Sequence, residues 1–179
     1  MQILNAPNNF LNTKSGEIKK IDRNIKKIVS EMAECLDSQK DPQGVGLAAP
    51  QVGLNVRLFI SKPTPTSKHQ VFINPKVLGF FDKKMPDVKR KGGKRKLEGC
   101  LSIPRIWAPI KRKYGVKIEY MDLKGKIYTK KFTGYQSIIV QHEIDHLEGI
   151  LFTQRALEQK AQLFEEKGEK LIKIEMQSI

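Results

Sequence analysis

The stretch "VQHEIDHLEG", Val140 to Gly149, sets two histidines four residues apart with a glutamate directly after the first. On a helix, four residues rise about 6 Å and return to one face, so His142 and His146 can share an ion through metal–nitrogen bonds of about 2 Å. In a strand the pair would stand about 13 Å apart and could not. Ile138, Ile139 and Val140 suit a strand as well as a helix by propensity, so the histidines decide for a helix, with Gly149 as its C-cap. Glu143 then lies beside the open coordination position, where it can take a proton from a metal-bound water. The competing reading is a polar helix face with satisfied histidines. With three histidines in the whole chain, a chance His-Glu-x-x-His is the weaker explanation.

A metal needs a third protein ligand. Of the two cysteines, Cys100 in "EGCLSIP" is the better candidate, because Gly99 and Pro104 around it suggest a loop or strand of unusual backbone geometry, and thiolate is a strong ligand for a borderline divalent ion. Its alternative is a core thiol. Three protein ligands would leave a fourth position for water, the layout of a catalytic site. In "GVGLAAPQVG", Gly44 to Gly53, small residues leave the backbone open to close approach by a peptide or ligand. The plainer reading of that segment is a tight turn before a strand. Gln51, polar among small apolar neighbours, could donate a hydrogen bond to a developing oxyanion.

The elements that position these residues follow from periodicity. Ile21, Ile25, Ile28, Val29, Met32 and Leu36 predict an amphipathic helix behind an Asp22 N-cap, ending before "KDPQG". Cys35 near its end reads as a buried small hydrophobe. Strands are predicted at Val56–Ser61, Val71–Phe81, Tyr114–Leu123 and Lys126–Gly134, the last two joined as a hairpin through Lys124-Gly125. His69 reads as a surface histidine. From Arg155 to the C-terminus, Leu157, Ala161, Phe164, Leu171 and Ile172 suggest a C-terminal helix that Gly168 could bend. The expectation is one α+β domain over residues 1–179: antiparallel strands around a central helix carrying the motif, with N-terminal and C-terminal helices.

Two cysteines are too few for a disulfide scaffold, and no apolar run approaches the roughly 18 residues of a membrane span. The N-terminal sequence has neither a secretory nor a transit pattern, so a cytoplasmic location is expected, or an organellar one if a presequence was removed. The net charge of +14, from 33 basic and 19 acidic residues, gives a field attractive to polyanions such as RNA. Eight of the basic residues fall between Lys83 and Lys96, where Pro86 and Gly92-Gly93 predict a loop.

Taken together and in this order, "GVGLAAPQ", "EGCLS" and "QHEIDH" resemble the three signature motifs of peptide deformylases. The resemblance covers most of the chain. It implies removal of the N-formyl group from the starting methionine of new polypeptides, with release of formate. On the matching residues it implies Cys100, His142 and His146 as metal ligands and Glu143 as general acid/base. Gln51 and the backbone N–H of Leu101 would stabilise the oxyanion, and the backbone at Val45 and Gly46 would hold the substrate. A pocket for the methionine side chain is also implied. Tyr135, Ile138 and Ile139 are the candidates, because the two isoleucines lie one turn before His142; ordinary core packing is their plain alternative. Arg112 is expected to pair with Glu98 or Asp145 and so brace the ligands.

Ligand rules alone favour zinc for a Cys/His/His site, whereas the resemblance implies Fe(II), readily replaced by zinc, nickel or cobalt. The segment 83–96 is longer than the usual connection in the family and reads as a basic insertion. With the basic surface and the tail helix, it makes contact with ribosomal RNA plausible. A monomer acting on N-formylmethionyl nascent peptides is expected. Three rivals stand beside this reading: a zinc peptidase, which Cys100 as a ligand argues against; a basic RNA- or ribosome-binding protein with a structural metal, which leaves Glu143 and Gln51 unexplained; and an inactive homologue, although every residue the chemistry needs is present.

Overall fold

The computed structural model describes residues 1–81 and 97–175; the basic segment 83–96 lies outside the described residues. Helix α1 (Arg23–Ser38) begins where the Asp22 carboxylate accepts from the Ile25 N–H at 3.0 Å, as an N-cap should. Ile25, Val29, Met32 and Leu36 recur along its buried face, and Cys35 packs into the same cluster.

The strands form two antiparallel sheets. One runs in the spatial order β1 (Gly46–Ala48), β2 (Leu58–Ser61), β3 (Gln70–Phe81), β6 (Gly115–Met121), β7 (Ile127–Thr133); the other is β4 (Glu98–Cys100), β5 (Ile103–Ala108), β8 (Phe164–Lys167), β9 (Lys170–Lys173). Alternation along β2 divides the core. Leu58 and Ile60 join the α1 cluster, while Phe59 points the other way, into a cluster with Phe72, Val116, Ile118 and Phe132. That second cluster is closed by Val140, Ile144 and Leu147 of α2 (Gly134–Leu147), the motif-bearing helix. All four β2 residues are buried because both faces of the sheet are covered.

The expected α+β architecture around a central helix is therefore what the chain adopts, and the four predicted strands appear as β2, β3, β6 and β7. Among the described residues, the helix expected over 155–179 does not form beyond Glu158. Helix α3 (Phe152–Glu158) buries Phe152 and Ala156 against Cys100 and Ala108 and then stops, with Lys160 at a positive φ of 50°. A β8–β9 hairpin follows, pairing Lys167 with Lys170 across Gly168 and Glu169. Gly168 takes φ 60°, the left-handed conformation that a two-residue hairpin loop needs and a helix interior excludes. Leu157, Leu171 and Ile172 stay exposed, so the helical spacing of apolar residues has no surface to cover. No helix among the described residues is long and apolar enough to cross a membrane.

Candidate metal centre and active site

Helix α2 is buried over most of its circumference, so its polar side chains must find partners inside the protein. His142 and His146, one turn apart, bring their Nε2 atoms to 3.2 Å. Cys100 Sγ lies 3.2 Å from His146 Nε2, and all three donor atoms fall within 4.8 Å of one another. A tetrahedral ion with bonds of about 2.0 Å to nitrogen and 2.3 Å to sulfur needs donor separations of about 3.3 and 3.6 Å. The spacing, the burial and the soft-plus-imidazole chemistry of the set all fit one divalent ion.

The two imidazoles stand in different surroundings. Burial pushes the His142 imidazole down, but hydrogen bonds and charges from Cys100 and Glu98 raise it well above its ordinary value. Burial also lowers His146, and the charges of His142 and Arg112 add to this, keeping that ring neutral as a ligand must be.

Cys100 is placed by a distortion at the end of β4. Gly99 pairs with Trp107 on β5, but Cys100 pairs with Ile103, so the register slips between them. The Trp107 ring occupies the space a Gly99 side chain would take, 2.8 Å from an ideal Cβ, and its indole N–H donates to Glu166 of β8 at 2.7 Å. The C-terminal hairpin thereby props the strand that carries the thiol.

Gln51 reaches the same point from the turn after β1. The Ala48 N–H donates to Gln51 Oε1 at 2.9 Å, and since a backbone N–H can only donate, the amide orientation is fixed. Gln51 Nε2 must then face Cys100 Sγ at 3.5 Å and Ser102 Oγ at 3.2 Å. Glu143, the residue after His142 on α2, is buried, with Oε2 lacking a hydrogen-bond partner among the described residues. Burial pushes its carboxyl up to about 7, the range of a group that exchanges protons near neutrality. Gly46 is why the carboxylate fits: an ideal Cβ there would stand 2.8 Å from Glu143 Cδ.

Arg112 ties these parts together. It forks onto Glu98, Nε to Oε2 at 3.1 Å and Nη2 to Oε1 at 2.6 Å, and donates through Nη1 to Asp145. The expectation of one partner was too narrow; it takes both. Glu98 Oε1 in turn meets His142 Nδ1 at 2.8 Å, which fixes the ring so that Nε2 faces the other donors. Burial pushes Glu98 up, but His142 and Arg112 more than offset this and bring it down to about 2. Arg155 of α3 adds a second guanidinium to Asp145, at 3.2 and 2.7 Å.

Among the other predicted residues, Leu101 follows Cys100 in the turn between β4 and β5, and Val45 immediately precedes β1, its carbonyl accepting from Lys62 N–H at 2.8 Å. Ile139 is buried yet belongs to none of the three apolar clusters; Ile138 is half-buried and Tyr135 exposed. His69 stands apart, with Nε2 3.0 Å from Asp37. Ser102 and Arg155 were not anticipated. Ser102 stands within "EGCLS", so its place in a motif was the available signal, whereas Arg155, ten residues beyond Asp145, offered none.

The sequence profile of the polypeptide deformylase family matches residues 1–162. The chain is 36% identical over 176 residues to peptide deformylase 1B, chloroplastic/mitochondrial, of Arabidopsis thaliana, covering 97% of this chain and 60% of that one. It is 37% identical over 169 residues to the peptide deformylase of Dictyoglomus turgidum, covering 93% of this chain and 99% of that one. A crystal structure of a point mutant of the Arabidopsis thaliana 1B enzyme superposes with a TM-score of 0.75 at 36% identity, over 87% of this chain and 80% of that one. The peptide deformylase structure from Thermotoga maritima gives 0.74 at 31% identity, over 86% and 95%. With a profile match over most of its length and relatives above 30% identity, this chain belongs to the polypeptide deformylase family, whose members are hydrolases.

Proposed function

We infer that this chain removes the N-formyl group from the starting methionine of newly made polypeptides by hydrolysis, releasing formate. The observation that carries the reading is the oriented Gln51 amide facing a Cys–His–His donor set, together with a buried Glu143 that feels the charge of His142 and has one oxygen without a partner among the described residues. Cys100, His142 and His146 would hold one divalent ion, with Fe(II) the proposed working metal and zinc, nickel or cobalt able to use the same donors. Such an ion would supply Lewis acidity, which makes water acidic enough to lose a proton near neutral pH.

Glu143 takes that proton on its free oxygen and returns it to the departing amine nitrogen. Gln51 Nε2 and the Leu101 N–H donate to the formyl oxygen as negative charge develops on it. The backbone at Val45 and Gly46 holds the peptide in extended form: β1 ends the first sheet among the described residues, and with the Val45 carbonyl turned to Lys62 it is Gly46 that offers backbone groups on the open side. Ile139, buried outside the apolar clusters, forms with Ile138 and Tyr135 the wall for the methionine side chain. Glu98, Arg112 and Asp145 hold His142 and the helix against β4.

The substrate requires a compartment where formylated chains are synthesised, a bacterial-type cytoplasm or an organelle, and the proposed state is a monomer. Contact with ribosomal RNA, expected through the basic surface and a C-terminal helix, rests on the surface alone, since among the described residues that helix does not form beyond Glu158. Lys117 and Lys131 face each other across β6 and β7 without an ion pair among the described residues, a cationic row suited to phosphates. Ribosome binding that is absent or insensitive to salt would count against this contact.

Formate release from a formyl-Met peptide is the deciding assay, using protein reconstituted anaerobically with Fe(II) and Glu143→Ala as control. Turnover by the parent is expected, with loss of about 10²-fold or more in Glu143→Ala at unchanged metal content. No turnover by the parent, or full turnover by the metal-loaded variant, would defeat the reading.

A further inference from the structure

The two histidines of the donor set are held differently. His142 Nδ1 is fixed by Glu98, but His146 Nδ1 is buried with no hydrogen-bond partner among the described residues. The His146 ring therefore takes its position from where the last turn of α2 sits. That turn ends at Glu148, whose N–H bonds to the carbonyls of Ile144 and Asp145, each at 3.0 Å. The Glu148 side chain leaves the helix and meets Arg57 Nη1 at 2.8 Å and Lys14 Nζ at 2.8 Å.

Arg57 is buried and has no freedom to follow a moving partner. Its Nε and Nη2 both donate to the Pro75 carbonyl, at 3.1 and 2.9 Å, in the irregular stretch of β3 between the Ile73 and Lys76 pairings. Its own N–H and C=O are held by Gly16 and Asn74, at 2.7 and 2.8 Å. One planar guanidinium thus spans a rigid sheet and the carboxylate at the end of the ligand-bearing helix, where a cation also complements the helix dipole. Next to it, Ser15 N–H donates to Leu147 O at 2.9 Å, so the N-terminal segment grips the same turn.

We propose that Arg57, through Glu148, is a positioning residue for the metal ligand His146, setting the last turn of α2 against the first sheet in place of a hydrogen bond to the ring, which has none at Nδ1 among the described residues. The proposal rests on His146 acting as a metal ligand. It distinguishes the two histidines: loosening Glu98 would free a ring, whereas loosening Arg57 would shift a whole turn.

The test is Co(II) binding by Arg57→Met, Arg57→Lys and Glu148→Gln, by competition with a chromophoric chelator and from the Co(II) absorption bands. All measurements are made well below each variant's unfolding midpoint. Arg57→Met and Glu148→Gln should bind Co(II) about tenfold more weakly, with displaced bands, and Arg57→Lys should fall between them and the parent, because an ammonium cannot span both partners. If Arg57→Met does not fold, Glu148→Gln, which keeps the Arg57–Pro75 bonds, decides the question. Affinities within twofold of the parent and unchanged bands, even with a lowered Tm, would mean a purely structural salt bridge and overturn the proposal. A parent that binds no Co(II) would refute the metal site itself.

Discussion

Gly46→Ala isolates the carboxylate from the metal. Gly46 does not need a left-handed backbone, so alanine costs nothing in φ; the obstacle is the methyl group, which would stand 2.8 Å from Glu143 Cδ and 3.0 Å from Cγ. Carbon atoms in ordinary contact lie about 3.5–4.0 Å apart, so the Glu143 side chain must retreat by roughly 1 Å. It cannot retreat by swinging into solvent, because Glu143 is 3% exposed on a helix packed against the first sheet. A displacement of about 1 Å at a reacting group costs on the order of 100-fold in rate, which is about 2.7 kcal/mol of transition-state stabilisation. The three donor atoms are untouched, so metal content should stay at the parent value. Formate release measured over a range of formyl-Met peptide concentrations, with metal analysis on the same samples, is the assay. Turnover within about threefold of the parent would refute the claim that Gly46 is required by Glu143. Loss of metal would equally refute it, by showing that the methyl group disturbs the donors rather than the carboxylate.

Other perturbations separate the parts of the site. Arg112→Ala leaves Glu98 and Asp145 short of a buried cation and should cost about 3–5 kcal/mol of stability, with metal affinity down about 10–100-fold; thermal unfolding and chelator competition would show both, and normal values would count against the network. Trp107→Ala vacates the space beside Gly99; because the ring is half-buried, it should destabilise by about 1–3 kcal/mol while loosening Cys100, seen as faster loss of metal to a chelator. Asp22→Ala removes only the α1 cap, so it should cost about 1 kcal/mol, a Tm drop of about 2–4 °C, and leave formate release unchanged.

How much of this was visible beforehand depends on the range of the interaction. The histidine pair was legible because helical geometry converts a spacing of four into a shared face, and α1 was legible because Asp22 and the apolar stripe agree. Cys100 was half-legible. Its strand has three residues and a slipped register, too short and too irregular to show alternation. The tail misled because Leu157, Ala161, Phe164, Leu171 and Ile172 fit a helical template, whereas Gly168 marked the hairpin turn. Arg155 was silent for another reason, and Ser102 gave no more than its place in "EGCLS". Their roles exist only once a strand, a turn and two helices have met, and no local pattern encodes a meeting.

The network around Arg112 also explains how a three-ligand site can be built across a seam. Cys100 belongs to β4 of the second sheet and the histidines to α2, packed on the first, so a metal bound to all three would staple the two halves. The same two elements are already joined without it. Glu98 is two residues from Cys100 on β4, Asp145 is next to His146 on α2, and Arg112 bonds to both. Two carboxylates facing two guanidiniums leave this bridge close to neutral, and buried charges are tolerable on those terms. The donors are consequently held in place by protein bonds, and the binding energy of the ion need not be spent on folding, as it is in structural zinc domains. On the proposed reading, that would free the site to keep a position open for chemistry, with Glu143 packed against Gly46 and Gln51 bonded to Ala48 rather than held by the metal.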